Sequence, residues 1–413
     1  MRVTNTRRPR ALVAGGSVGG MFAALLLHRT GWEVDIFERI GADLSTRGAG
    51  IVTHPELFNI LDAAGIDRKA ASIGVAVTGR RIFGLDGSIV GELDLPQVLT
   101  SWGTLYKLLR EALPVGSYHA ERNVVSVVES PGSVGVVLSN GQTEEGDLLI
   151  GADGLFSTVR QQFRPAWMPT YVGYIAWRGL VEEAALTEKT RDALCRSFSF
   201  SLPVGEQMLG YPVASADGEL EVGKRRYNFV WYRPAAEGDQ LSALLTDIEG
   251  VSHPLSIPPH MIRPQVVADM RNSASALLAP QFAEVVRQTE QPFIQAIQDL
   301  EVESMRLGER TIILGDAAFV ARPHVGMGVT KAAGDAWALA RALRRYGENL
   351  SAALDEFDVQ RSAFGAAVIR RARHLGAYMQ AQALTDEERL MAEKHRRPEA
   401  IMAETAVATG IAA

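Results

Sequence analysis

The chain has 413 residues, 47% of them hydrophobic, and carries 42 Lys and Arg against 48 Asp and Glu for a net charge of −6. That length suits one large domain or two to three ordinary ones, and the acidic balance argues against a nucleic-acid partner. No apolar run is long enough to cross a bilayer, and a single cysteine, Cys195, excludes an internal disulfide framework or a multi-cysteine metal site.

In chain order, ALVA at 11–14 is a short apolar run ending in glycines, which suits a buried parallel strand. Residues 18–30 are rich in Ala and Leu and read as a helix closed by Gly31, and EVDIF at 33–37 reads as a second strand. Strand, tight turn, helix and strand make a βαβ unit. Residues 55–64 and 104–113 have helical periodicity, and 73–95 alternate as short strands around the turn GLDGS at 84–88. Residues 123–129 and 134–138 predict a hairpin, and 147–151 and 311–315 predict buried strands. Residues 171–180, 197–213 and 225–233 are aromatic-rich and strand-like, which predicts an antiparallel sheet in the middle of the chain. Two long helices follow over 328–345 and 352–380. The tail after Gln382 is rich in Ala and charge, and its last ten residues are expected to be disordered. The basic N-terminus runs into a glycine turn rather than a cleavage site, so the chain reads as cytoplasmic.

Three motifs stand directly after apolar strands. In Gly15-Gly16-Ser17-Val18-Gly19-Gly20, the positions of a dinucleotide fingerprint fall on Gly15, Ser17 and Gly20. The serine sits where the backbone must approach a pyrophosphate, and the helix behind it offers free N–H groups to phosphate. Glu38 ends the second strand, where a carboxylate accepts from ribose hydroxyls. The second motif is Gly151-Ala152-Asp153-Gly154 with Ser157 and Arg160 downstream. The third is Gly315-Asp316-Ala317-Ala318, followed by Pro323, Gly326, Gly328 and Asp335. In each, an Asp at a strand end can accept from a sugar hydroxyl, and glycines let backbone amides reach a ligand. The eight histidines show no HxxxH or HExxH spacing, so no metal is expected.

In this order the three motifs resemble those of the FAD-dependent aromatic hydroxylases of the p-hydroxybenzoate hydroxylase type, over residues 10–380. The resemblance implies an α/β fold: a Rossmann-type FAD-binding domain interrupted by an antiparallel-sheet substrate domain, with C-terminal helices. It divides the chain into FAD-binding parts at 1–72, 99–165 and 301–345, substrate-domain segments at 73–98 and 166–300, and a helical region at 346–413. It implies that Gly15, Ser17, Val18, Gly19, Gly20, Glu38 and Arg39 hold the ADP half of FAD. Asp153 and Gly154 would lie near the pyrophosphate, Asp316 at the ribityl chain, and Pro323, Gly326, Met327, Gly328 and Val329 around the flavin ring. With no second glycine fingerprint, NADH or NADPH would dock only transiently, and O₂ is the third reactant. The segments YVGYIAWRG (171–179), RPH (322–324) and GIVTHPEL (50–57) are most similar to those of members acting on 2,6-dihydroxypyridine. Two positions depart from the wider family: Phe319 replaces a usual His, and Ser101-Trp102 replaces an Arg before the mid-chain helix.

The implied reaction is hydroxylation of an electron-rich hydroxyaromatic or nitrogen-heteroaromatic ring, a small-molecule substrate such as a hydroxypyridine, by an enzyme expected to form a homodimer. His324 and then Tyr211 are the candidates for catalytic proton transfer. Trp177, Trp231 and Tyr232 are the candidates for the ring pocket, and Arg178 reads as a structural ion-pair residue. The alternatives are a hydroxylase of the urate or salicylate type, a non-oxygenating FAD oxidoreductase, and a non-catalytic protein on a relic FAD fold. A flavin halogenase would want a WxWxIP segment, which is absent.

Overall fold

The computed structural model describes residues 7–42, 44, 50–67, 73–381 and 385–408. The nucleotide-type elements build a five-stranded parallel sheet. Its centre is Arg10–Ala14, flanked by Leu148–Gly151 on one side and Glu33–Phe37 on the other. Thr311–Ile313 extends the sheet beyond Leu148–Gly151, and Tyr118–His119 closes the opposite edge. The central strands are buried on both faces, so they read as continuous apolar runs rather than as alternation. In register, Ala14 pairs with Gly151, and Gly151 with Ile313. The loops after these three strands therefore leave from one carboxyl edge, where open parallel sheets bind their ligands. Two helices cover this sheet. Val18–Arg29 has only buried residues from Met21 to Leu27, and Gly328–Tyr346 packs against it.

The second sheet has eight strands, and its order shows how distant segments meet. Thr170–Glu182, Arg226–Pro234 and Gln207–Val213 form its antiparallel middle. Phe198–Ser201 then pairs in parallel with Val75–Phe83, which recruits the early hairpin with Ile89–Ser101 and finally Gly50–Val52. The predicted strand 197–213 is two strands, broken by the turn at 202–206. One face of this sheet packs on the helices Pro264–Leu277 and Pro280–Gln288, within one core cluster. The opposite face carries Val52, Tyr174, Phe198, Leu209, Tyr211, Val230 and Tyr232 and turns toward the first sheet's loops. A small three-stranded sheet, Val124–Ser130, Ser133–Leu138 and Thr143–Gly146, contains the predicted hairpin plus one strand.

Two long helices, Gly328–Tyr346 and Leu350–Gly376, and two short ones, Asp386–His395 and Pro398–Glu404, complete the chain. The expected disorder of the last ten residues is corrected in part. Thr405 and Ala406 are buried, and the Ala406 N–H donates to the carbonyl of His324 at 2.6 Å. The physical reason is Arg80, a fully buried guanidinium that donates to the carbonyls of Met402 (2.7 Å) and Thr405 (2.6 Å). It caps the end of the last helix as a C-terminal cation does. Residues 409–413 lie outside the described residues.

Arg160 does the equivalent for the first sheet. Its side chain is wholly buried and donates to three carbonyls: Trp167 at 3.0 Å, Ala317 at 2.7 Å and Leu155 at 2.6 Å. It joins the loop after Gly151 to the loop after Ile313. Replacing it with Met leaves one buried and two partly buried acceptors unpaired, the buried one costing about 1–3 kcal/mol and the others less. Arg160→Met is therefore expected to lose about 2–4 kcal/mol, read as a lower urea midpoint with an unchanged slope.

Candidate functional site

A cavity of about 670 Å³ runs between the carboxyl edge of the parallel sheet and the second sheet's inner face. At one end, the glycine turn Gly15–Gly20 is shaped for close approach. Gly15 has φ +105°, and a Cβ there would strike the Ala152 carbonyl, while one on Gly20 would strike the Gly15 carbonyl. The helix behind starts at Val18 with Ser17 extended before it, its side chain making no cap bond, so the first N–H groups face the cavity without an internal acceptor. Glu38 is buried and directed at this turn. It accepts from the Gly16 N–H at 2.8 Å and the Ile40 N–H at 2.9 Å, with one oxygen to each. Ser17, Val18, Gly19 and Glu38 line the cavity together with the exposed Arg39.

The second motif is built differently from its sequence reading. The Asp153 carboxylate accepts from the Ser157 hydroxyl and from the Val159 N–H (3.2 Å), so it caps the helix Thr158–Phe163. Burial pushes its pKa up, opposed by the Ser157 hydrogen bond. What Asp153 and Gly154 show the cavity is a turn fixed by that cap, with Gly154 at φ +79°. In the third motif Asp316 is exposed at the cavity and accepts from Lys331 Nζ at 2.7 Å, and Lys331 also donates to the Phe319 carbonyl at 2.7 Å. Asp335 is buried, accepts from the Gly315 N–H (3.0 Å) and pairs with Arg361 at 2.6 Å. Sequence reasoning gives Lys331 no role and does not single out Arg361. The signal available was a basic residue on each of two helices that must pack beside an acidic strand-end turn.

Pro323, Gly326, Met327, Gly328 and Val329 line the middle of the cavity. Gly326 is left-handed at φ +66°, and a Cβ there would meet Ala406. His54 holds this turn through a 3.1 Å contact from Nε2 to the Gly326 carbonyl. Trp102, in place of the family's Arg, also lines the cavity and stacks on Tyr106 with ring centroids 5.0 Å apart.

The far end is the second sheet's inner face, and strand parity decides which candidates reach it. Side chains alternate faces along a strand. Ala176 pairs with Tyr232 and Arg178 with Val230, so these four share one face with Tyr211. Trp177 pairs with Trp231 one residue out of step, and both lie in the core on the helix-covered side. The Trp231 Nε1–H donates to Glu206 at 2.8 Å. Trp177 and Trp231 are thus not pocket residues, whereas Tyr232 and Tyr211 are.

His324 also needs correcting. It is 1% exposed and points away from the cavity, behind Tyr232, with their ring centroids 4.3 Å apart. Burial and the cations Arg322 and Arg178 lower its pKa to about 3, so the ring is neutral. The Tyr174 hydroxyl donates to Nε2 at 2.9 Å, and Nδ1–H donates to Gln207 Oε1 at 3.2 Å. Both nitrogens are used inside the wall, which leaves neither for a ligand's proton. Arg178 lines the cavity, and among the described residues it has neither an ion-pair nor a hydrogen-bond partner. The expected structural ion pair is absent there.

Comparison with known proteins places this architecture. Residues 8–198 and 265–372 match the family model described as FAD binding domain, and 171–299 match one described as FAD binding domain-like. A 2,6-dihydroxypyridine 3-monooxygenase of Paenarthrobacter nicotinovorans is 30% identical over 90% of this chain and 91% of its own. A 3-hydroxybenzoate 6-hydroxylase of Polaromonas naphthalenivorans is 26% identical over 94% and 92%. The solved 2,6-dihydroxypyridine-3-hydroxylase from Arthrobacter nicotinovorans superposes with a TM-score of 0.84 at 29% identity, over 92% of this chain and 94% of that one. Klebsiella pneumoniae HpxO, complexed with FAD and uric acid, shares the fold at TM-score 0.75 and 20% identity, over 96% and 93%. The chain belongs to the FAD-binding family of aromatic hydroxylases and is an FAD-dependent monooxygenase. The glycine turn and its unpaired N–H groups fit the cofactor.

Two outcomes follow. Gly15→Ala forces a side chain into the Ala152 carbonyl, so the protein is expected to purify with less than about a tenth of the wild-type flavin per chain by absorbance, since each 1.4 kcal/mol lost in binding is tenfold. The second concerns acid. Unfolded chain protonates His324 near the ordinary 6.5, while the folded chain holds it neutral to about 3, so stability falls as pH drops from 6.5 toward 3. His324→Asn is expected to lose about 1–3 kcal/mol at neutral pH through the broken Tyr174 bond. It should then show a shallower further loss between pH 6.5 and 4 than wild type, measured as paired urea midpoints.

Proposed function

We propose that this monooxygenase uses NADH or NADPH to hydroxylate a hydroxypyridine-like ring, with 2,6-dihydroxypyridine the leading substrate. The observation that carries the reading is the inner face of the second sheet. Apolar Phe198, Leu209 and Val230 form a surface suited to a flat ring, and Tyr211, Tyr232 and Arg178 stand around it with polar groups unclaimed among the described residues. The named activity of the dihydroxypyridine relative supports the choice of ring. Segments 1–72, 99–165 and 301–345 would then serve the cofactor, 73–98 and 166–300 the ring, and 346–413 the closing helices.

FAD, when bound, supplies the redox and oxygen-transfer chemistry. The chain's own residues position and enclose. Gly15, Ser17, Val18, Gly19, Gly20, Glu38 and Arg39 would hold the ADP half, with the Gly16 amide fixing the Glu38 carboxylate. The Asp153–Gly154 turn would lie along the pyrophosphate, and Asp316, oriented by Lys331, along the ribityl chain. Pro323, Gly326, Met327, Gly328 and Val329 would face the flavin ring. Tyr211 and Tyr232 are buried phenols whose pKa burial pushes up, Tyr232 to about 12, so each is a hydrogen-bond donor at neutral pH rather than a base. Tyr211 therefore orients the ring's oxygen rather than removing its proton. Phe198 and Leu209 keep water from the ring face.

The test is NAD(P)H oxidation by the yellow holoenzyme with 2,6-dihydroxypyridine, urate, salicylate and 3-hydroxybenzoate, with product mass. The expected outcome is at least about tenfold stimulation by the dihydroxypyridine and a product heavier by one oxygen atom. Equal oxidation without any ring, or product only from urate or salicylate, would reject the hydroxypyridine reading.

A further inference from the structure

We propose that Arg178 is the substrate-positioning cation of this site and selects ring substrates that carry a negatively charged oxygen; this rests on reading the cavity as a ring-hydroxylating site. The claim begins with where the residue sits. Arg178 lies in the middle of Thr170–Glu182, paired to Val230 on one side and Phe293 on the other, which fixes its side chain on the cavity face. Its Nε is buried with no hydrogen-bond partner, and among the described residues no carboxylate pairs with it. Three other buried cations near the cavity are committed. Arg322 is paired with Asp299, Lys331 with Asp316, and Arg160 is spent on three carbonyls. An unpaired guanidinium in a half-enclosed apolar cavity costs stability, so its presence is explained by a partner that arrives with the ligand.

The neighbours say what that partner is. The titratable groups that feel the Arg178 charge are Tyr211, Tyr232 and His324, all neutral. Two phenol hydroxyls beside one planar cation with a free N–H edge form a donor-rich, positively charged surface. Such a surface recognises an oxyanion on a flat ring. It also removes the need for a catalytic base in the cavity wall, which His324 cannot provide. A hydroxylated heterocycle taken up as its anion arrives already electron-rich, and Arg178 holds that protonation state in place against the apolar face.

The experiment uses FAD-loaded protein and follows the flavin absorbance change on adding three probes between pH 5 and 9. 2,6-Dihydroxypyridine offers a ring oxyanion, 3-hydroxybenzoate a carboxylate, and 2,6-dimethoxypyridine a neutral ring of similar shape. Wild type is expected to bind 2,6-dihydroxypyridine more tightly as its ring hydroxyl ionises, and the dimethoxy compound independently of pH. Arg178→Met should weaken the anion by about 10- to 100-fold, flatten its pH dependence, leave the neutral ring within about twofold, and keep FAD content. Its thermal midpoint should match or exceed wild type, since no ion pair is lost. Arg178→Lys should recover part of the affinity. Anion binding by Arg178→Met within twofold of wild type, or a loss shared equally by the neutral ring, would overturn the proposal, as would wild type that binds neither anion. If only 3-hydroxybenzoate binds, and does so through Arg178, the cation's role stands and the hydroxypyridine reading falls.

Discussion

One buried guanidinium holds the cofactor end of this molecule together. Arg160 contributes no chemistry, yet its three donated hydrogen bonds tie the loop after Gly151 to the loop after Ile313. Those loops leave adjacent parallel strands, so without a bridge each would be free to take its own path. The charge itself is acceptable in a buried place because backbone carbonyls satisfy it and nearby Asp153 favours it. Asp335 and Arg361 repeat the device one layer back, with a fully buried pair whose carboxylate also receives the Gly315 N–H. Lys331 then points Asp316 along the cavity. The ligand-facing edge is held in place by hydrogen-bonded polar supports that lie mostly buried behind it.

The ring end follows the opposite rule. There the histidine behind the face is fully paired and the face is not. His324, Tyr174 and Gln207 satisfy one another behind Tyr232, so the wall holds a neutral imidazole with no proton to exchange. In front of it, Tyr211, Tyr232 and Arg178 keep donors unclaimed among the described residues. Among the described residues Arg178 is a half-buried cation with no partner, left so at a cost in stability, and such costs concentrate where ligands bind.

How much of this could be read from the chain depends on the kind of signal. The parallel strands announce themselves, since ALVA, DLLIG and TIILG are apolar runs without alternation that end in glycine or are followed directly by it. The glycine turn was equally legible, because only glycine tolerates Gly15's backbone and the contact with Ala152. Asp153 was legible as a motif but not as a cap, because Ser157 could serve either reading. Trp177 and Trp231 were misplaced for a reason of parity. In a strand buried on both faces aromatic side chains stand on either side, and no regular alternation marks which face holds the cavity. The helices Pro264–Leu277 and Pro280–Gln288 were folded into a sheet-rich segment although each opens with the proline at its first turn that favours a helix start. His324 stands among flavin-side neighbours in the chain, but in Pro323–Val325 a single 3₁₀ turn spaces side chains about 120° apart, so Pro323 and Val325 line the cavity while His324 enters the wall.

The last helix shows why ring choice is harder to read than cofactor choice. The cofactor end is made by local motifs whose spacing survives in the chain. The ring end is assembled from strands far apart in sequence and is finished by Thr405 and Ala406, which the buried guanidinium of Arg80 holds against the cavity. Gly326 has no side chain partly because Ala406 occupies that space. The cavity's shape thus depends on a contact between residues about eighty positions apart and on an arginine in a third segment. Small changes at any of the three would reshape the slot without touching a recognisable motif, so related chains can keep the glycine turn and the strand-end acids while taking different rings.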